Sequence, residues 1–441
     1  MNAMLFFLML YVAVLTIVAI YAKRQVKGFA DFVIAGGRQK SIWISLSTLA
    51  SIVGGSATFG IMTLAAKHGF PAFWWLGAGS IFLVLQSLLV SEKARSLNVY
   101  TLPELAGKTV GREPRFLIAL IIVISWIGII AAQFSALESL FIPFIPEGWR
   151  PAVLFFVSVA VIVYTTAGGQ ISVLRTDAMQ FLLLMGGVLL ACLLLWQNEC
   201  PLPHIEFFNN TFSSSQFATF LLVTGLPYFL GPDLLSRNFS ARDGRTARRS
   251  ALIAAVMLIL FAVPMTLIGV WAKEHGIAEN PLPGIILGHL PPAAGALLFL
   301  GLVSALISSA DTCLLSVSSI IENDLIGGKN IRRMRLMVVF VGALALFIAF
   351  FQKDVTRLLL SAYAVYVPGV VFPLFACLWF AGRMVPNKSF ILLGMLAGSI
   401  LGIASVCMGS PAYSLTGIGL SAAASLIACL TGKTKAKTTP P

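Results

Sequence analysis

The chain carries apolar runs too long and too numerous for a water-soluble core. Read at about 20 residues per bilayer crossing, thirteen runs qualify: 3–22, 42–65, 70–91, 116–141, 150–166, 176–196, 216–235, 250–272, 293–321, 333–351, 357–381, 389–408 and 412–431, numbered here as spans 1 to 13. Of the 441 residues, 58% are hydrophobic and 11% charged, whereas a soluble domain is roughly one-quarter charged. Lipid cannot satisfy backbone polar groups, so only helices and closed barrels cross it. Runs of this length select helices, and the expected fold class is an all-α polytopic membrane protein forming one transmembrane domain over 1–441.

A net charge of +13 would suit nucleic acid if it were clustered, but it is sorted by loop. Lys67, Arg150, Lys273, Lys353 and Arg357 fall on one side of the spans, and the other 25 lysines and arginines fall on the opposite side. Cytoplasmic loops collect positive charge, so the amino terminus is expected outside and the carboxyl terminus in the cytoplasm. The lipid bilayer is then the partner, in a plasma membrane (the inner membrane of a bacterium), and no nucleic acid is expected. No positive segment precedes span 1 and no convincing cleavage site follows it, so it reads as an anchor and not a leader.

Cysteine and histidine usage excludes further classes. Five of the six cysteines lie in or at spans and Cys200 stands alone in an outer loop, so no disulfide framework is expected. The Asn209–Thr211 match to a glycosylation acceptor is short and reads as chance. His68, His204, His275 and His289 all fall on the outer side, with none mid-span to hold a haem or redox metal. No nucleophile with a base and an orienting group is visible, so an enzyme is not expected.

Span 9 contains a polar interruption. Ser304 to Thr312 read S-A-L-I-S-S-A-D-T between apolar flanks, and such groups at bilayer depth are costly and rarely idle. Ser308, Asp311 and Thr312 share one helical face. Oxygen ligands with negative charge suit a small hard cation.

Spans 2 and 7 are interrupted too, at Ala50–Ser56 and at Gly225-Leu226-Pro227 and Gly231-Pro232-Asp233. They lie five spans apart and run in opposite directions, as expected for inverted repeats with a site at their broken helices. Spans 2–6 (42–196) and 7–11 (216–381) would form the two repeats. Span 1 (3–22) stands before them and spans 12 and 13 (389–431) after. Gly54 and Gly55 let the backbone leave helical geometry, and Pro227 and Pro232 each remove a backbone donor. Glycine in membrane helices also serves close packing.

Five segments together resemble one family. They are Asp31–Arg38, the break at Ala50–Gly55, Gly168–Gln180 with its T-D-x-x-Q ending, Arg237–Asp243 as R-x-x-x-A-x-D, and Ala305–Leu315 as A-x-x-S-S-x-D-T-x-L-L. The chain is similar, over roughly 30–380, to the sodium/solute symporters of LeuT-like fold, whose members carry proline, pantothenate, sugars, choline or sialic acid. The resemblance implies Na+ as the coupling ion. It places a sodium site at the carbonyls of Ala50, Val53 and Ala305 and the hydroxyls of Ser308 and Ser309. Serine in a membrane helix also back-bonds to the carbonyl four residues earlier. A second ion or proton site would use Asp177, Asp311 and Thr312. The carboxylate at 311 departs from the hydroxyl of one family pattern, and Asp177 is also read as sitting in a first helical turn that favours negative charge.

For substrate, the resemblance implies Ser51, Gly54, Gly55, Ser56, Phe73, Trp74, Gln133, Tyr228, Asp233, Tyr363 and Tyr366. Any single aromatic among them is read first as a helix-packing residue and only then as a ligand contact. Asp233 would pair with an amine-bearing substrate or with Arg237 four residues on, and the second pairing is preferred here. With no arginine or lysine read at mid-membrane, a neutral, zwitterionic or monocarboxylate solute is expected. The leading function is a sodium-coupled symporter of a small organic solute working by alternating access. The alternatives are a proton-coupled transporter of the same fold and a non-transporting membrane sensor.

Overall fold

Helix follows the apolar runs nearly end to end, and the loops supply the stops. The computed structural model describes residues 11, 13–15, 17–18, 21–144, 146–197, 205–277 and 281–434; most of span 1, together with Cys200 and His204, lies outside the described residues. Polar side chains cap the spans at their first turns. Asp243 accepts from the Thr246 amide at 2.7 Å and Asp354 from the Arg357 amide at 2.9 Å. That amide bond holds the Asp243 carboxyl below the usual carboxylate range. Pro292 and Pro411 open their helices, where the missing donor has no partner to lose.

Among the described residues, ten helical stretches are long and apolar enough to cross a membrane, eleven when one bent pair counts as a span. One of the ten contains Arg150–Trp196, 47 residues that would run roughly 70 Å as one straight helix at 1.5 Å per residue. That is more than twice a hydrocarbon core of about 30 Å. Gly169 breaks it at φ 57°, ψ −160°, so spans 5 and 6 are its two limbs. A side chain at 169 would press into the Phe32 ring and carbonyl, so glycine is required there twice over.

The bent pair is span 2: Ser41–Ile52 and Ala57–His68 meet at 61°. Span 7 breaks once, at Gly231, whose φ −61°, ψ 135° is extended between Leu226–Leu230 and Pro232–Ser240. The other expected interruption, at Gly225, keeps helical angles (φ −79°, ψ −43°). Pro227 falls in the first turn after it, where proline is tolerated.

Span 9 occupies the centre of the bundle. Of its most apolar window 83% is buried, against 33% for each of spans 12 and 13 at the edge. Glycines let spans 6 and 9 cross closely: a Cβ on Gly187 would lie 2.9 Å from Leu298 Cα, and one on Gly301 2.7 Å from Leu184 Cα. This crossing holds Asp177 against the polar stretch of span 9. On the side rich in lysine and arginine, the segments at 31–38 and 237–243 dock through Gln39, whose amide donates to the Ser240 carbonyl at 3.0 Å. Arg95 donates to the carbonyls of Ala241 and Gly37.

Candidate functional site

The break in span 2 faces span 9. Ser41–Ile52 ends at Val53 (φ −83°, ψ 46°), and Ser309 Oγ donates to the Ser51 carbonyl at 2.9 Å and lies 3.5 Å from that of Ala50. Gly54 permits the approach: a Cβ there would sit 2.6 Å from Ser309 Cβ and 2.8 Å from Gln133 Oε1. The Gly55 amide donates to the same Gln133 oxygen at 2.8 Å, which satisfies a donor released by the break. Ser308 Oγ donates to Asp177 Oδ1 at 2.6 Å. Neither serine back-bonds, whereas Thr312 does, to the Ser308 carbonyl at 2.8 Å. Thus Ala50 and Ser309 are brought together directly, Val53 ends the same helix, Ala305 is buried one turn before Ser309, and Ser308 is turned towards Asp177.

Asp177 is the hub of a buried polar network. It accepts from Ser47, Ser308 and Arg237, whose Nη2 lies 3.1 Å from Asp177 Oδ2, with both side chains fully buried. Arg237 also donates to Ser47 Oγ at 3.1 Å, to Ser236 Oγ at 3.1 Å and to Thr312 Oγ1. Three expectations are corrected here. Arg237 does not pair with the Asp233 carboxylate and reaches only its backbone carbonyl, at 3.4 Å, because Asp177 on span 6 takes the guanidinium. A basic side chain is therefore buried inside the bundle. Asp177 is not in a first turn either, since helix resumes directly after Gly169 and places it two turns in. Asp311 joins the network only through Thr312, at 3.3 Å, and its Oδ2 is buried without a hydrogen-bond partner.

Beside the span 2 break lies a cavity of about 30 Å³, lined by Ser51, Gln133, Tyr228, Asp233 and Tyr363 among the expected substrate residues. Gly54 and Gly55 do not line it and pack instead against Gln133, which does. Tyr366 stands behind it, its hydroxyl donated to the Leu230 carbonyl at 2.7 Å and its ring edge-on to Trp126 at 4.6 Å. The Ser56 side chain lies outside what the structure describes. Phe73 and Trp74 do not reach the cavity. They join an aromatic cluster with Phe207 and Phe217, in which the Trp74 indole donates to the Phe207 carbonyl at 2.9 Å. The loop before span 7 covers them, and nothing in the local sequence announced it.

Sequence reasoning missed Trp126, Cys313 and Ser47. Each carried a signal, being seven residues from Gln133, four from Ser309 and four from Ser51 on their helices. A larger cavity of about 750 Å³ opens where Lys67, Lys353 and Arg357 gather. These are three of the five basic residues that the charge count assigns to the exterior. The two cavities share no lining residue.

Comparison with known proteins bears on what this arrangement serves. A model of the sodium:solute symporter family matches residues 32–197. The uncharacterized symporter YwcA of Bacillus subtilis is 24% identical over 449 residues, covering 92% of this chain and 85% of that protein. High affinity choline transporter 1 of Homo sapiens is 26% identical over 432 residues, covering 87% of this chain and 72% of its own. The chain is thus similar to the sodium:solute symporter family over residues 32–197, and to symporters and transporters over most of its length. It is a multi-pass membrane transporter. The symporter's fold matches a Na+-coupled sialic acid symporter, in its substrate-bound outward-open state, with TM-score 0.79 and 18% identity over 98% of both chains. It also matches Mhp1, a nucleobase-cation-symport-1 family transporter, with TM-score 0.63 and 12% identity over 90% of this chain. At these identities the likeness establishes the LeuT-like fold and nothing finer.

Proposed function

We propose that this symporter couples uptake of a small organic solute to sodium, bound between the span 2 break and span 9. Carbonyls of Ala50, Val53 and Ala305 and hydroxyls of Ser308 and Ser309 form the ion's shell. The supporting observation is Ser309 Oγ standing against the Ala50 and Ser51 carbonyls at a helix break. A hydroxyl has one proton and two lone pairs. The Ser308 proton is committed to Asp177, which leaves its lone pairs for a cation. Ser309 need only rotate its proton away. The family and the sialic acid symporter's reported Na+ coupling agree with this reading.

Spans 2–6 and 7–11 act as inverted repeats, and the amino terminus lies outside a plasma membrane. Sodium favours the outward-open state, and solute binding permits closure. Coupling requires each ligand to change the other's affinity reciprocally.

Purified protein tests this without knowledge of the solute, because a ligand of the native state raises apparent stability by about 2.7 kcal/mol at 100 times its Kd. Sodium, but not potassium, should raise the melting temperature. Ser309→Ala should move that response to at least tenfold higher sodium. Equal responses to both ions, or an unchanged Ser309→Ala response, would overturn the proposal.

The unpartnered Asp311 Oδ2 favours a second reading. A buried carboxylate with no counter-charge and one oxygen unpartnered is disfavoured in its ionised form, so on this reading Asp311 carries a proton or awaits a cation, with Thr312 on its other oxygen. Uptake driven by a pH gradient in sodium-free vesicles, and lost in Asp311→Asn, would establish proton coupling.

A further inference from the structure

The inner cavity has one charged wall. Asp233 is the one carboxylate among its lining residues, which include no lysine, arginine or histidine. Its natural counter-ion is Arg237, one turn along, but that guanidinium is shared among Asp177, Thr312, Ser47 and Ser236. Among the described residues Asp233 has no ion pair, and Arg237 touches only its carbonyl. The remaining walls are aromatic or uncharged: Trp126, Tyr228, Tyr363 and Gln133. Aromatic faces attract cations, the more so when water is excluded. Trp126, Tyr228 and Tyr363 line this cavity together with Asp233.

We propose that Asp233 selects the charge of the solute, and that the solute carries a cationic nitrogen, either a protonated or a quaternary amine. This rests on the symporter reading above. A carboxylate bordered by aromatic rings and deprived of its counter-ion repels an anion, and a neutral solute offers it hydrogen bonds but no neutralising charge. A cationic nitrogen supplies the missing charge, and its substituents lie against the rings. Asp233 also begins the helix Pro232–Ser240, where a negative charge is favoured. That accounts for an acid at this position but not for its aromatic surroundings. Lys67 and Arg357 line the outer cavity and not this one. At physiological salt, exposed charges are screened over about 8 Å.

A cavity of about 30 Å³ holds no more than a water or two. The described state is therefore closed around the site, and an amine enters only when the bundle opens.

Matched probes test this on purified protein by thermal shift. Ethanolamine and tetramethylammonium are set against ethylene glycol and tert-butanol, with acetate as the anion, each in sodium chloride and in potassium chloride. At least one cation should raise the melting temperature while its neutral partner and acetate do not. Asp233→Asn should need at least tenfold more of that cation, and Asp233→Glu should restore part of the response. Monodisperse elution and an unchanged sodium response show that each variant is folded. A shift from acetate or a neutral probe alone, a cation response that survives Asp233→Asn, or no response to either cation would overturn the inference. A cation response indifferent to sodium would sink the sodium reading and leave this one standing. A sodium response without any cation response would do the reverse.

Discussion

Arg237 does more than any other residue to set the chemistry of the bundle's interior. In the sequence it is the first letter of a loop motif and a neighbour of Asp233. In the structure it enters the interior and neutralises Asp177, sixty residues earlier. Spacing along a helix finds partners three and four residues away, but it cannot find a partner on another helix, which is why the Asp233 pairing was expected. Removing one member of a buried ion pair costs about 3–5 kcal/mol, because the other charge is left unpaired. Asp177→Asn and Arg237→Gln should each lower the melting temperature sharply in detergent. The double variant should recover much of that loss, since neither charge then remains alone. A double variant as unstable as the sum of the two singles would show that the pair is not the source of the effect.

At the scale of elements, the broken helices were the legible part. Glycine at 54 and 55 and the Gly231-Pro232 step marked where spans 2 and 7 leave helical geometry. The same composition at Gly225-Leu226-Pro227 did not break the chain, because a proline in a first turn loses no bond. Gly54 has a sharper role than loosening a helix: it lets span 9 reach the exposed carbonyls. A methyl group there would collide with Ser309 and Gln133, and overpacking of this kind costs about 1–3 kcal/mol. Gly54→Ala should therefore abolish the sodium-dependent rise in melting temperature while the protein still elutes as a folded species. A normal sodium response from Gly54→Ala would mean that span 9 does not need this approach. Phe73 and Trp74 were misplaced for a related reason. Their partners Phe207 and Phe208 come from the loop at 205–213, which has no periodic pattern to place it, and Phe217 comes from the first turn of span 7.

For the molecule as a whole, hydropathy and charge asymmetry gave the fold class because lipid permits so few alternatives. They could not locate the cavities, whose walls come from spans distant in sequence. The charge count did carry one spatial message, since Lys67, Lys353 and Arg357 gather at the large cavity. That cavity should face outward. In intact cells, and with the six native cysteines replaced by serine, a cysteine at Ser361, which lines it, should react with a membrane-impermeant maleimide, and one at Arg245, on the basic side, should not. The reverse pattern would invert the topology.

The central claim is that the Ala50–Ser309 contact is a sodium site waiting for its ion. Equilibrium binding of radioactive sodium to the purified protein tests it most directly. Saturable binding that potassium does not displace, weakened at least tenfold by Ser309→Ala, is the predicted result. Absence of saturable binding, or binding equally tight in Ser309→Ala and Ser308→Ala, would contradict it.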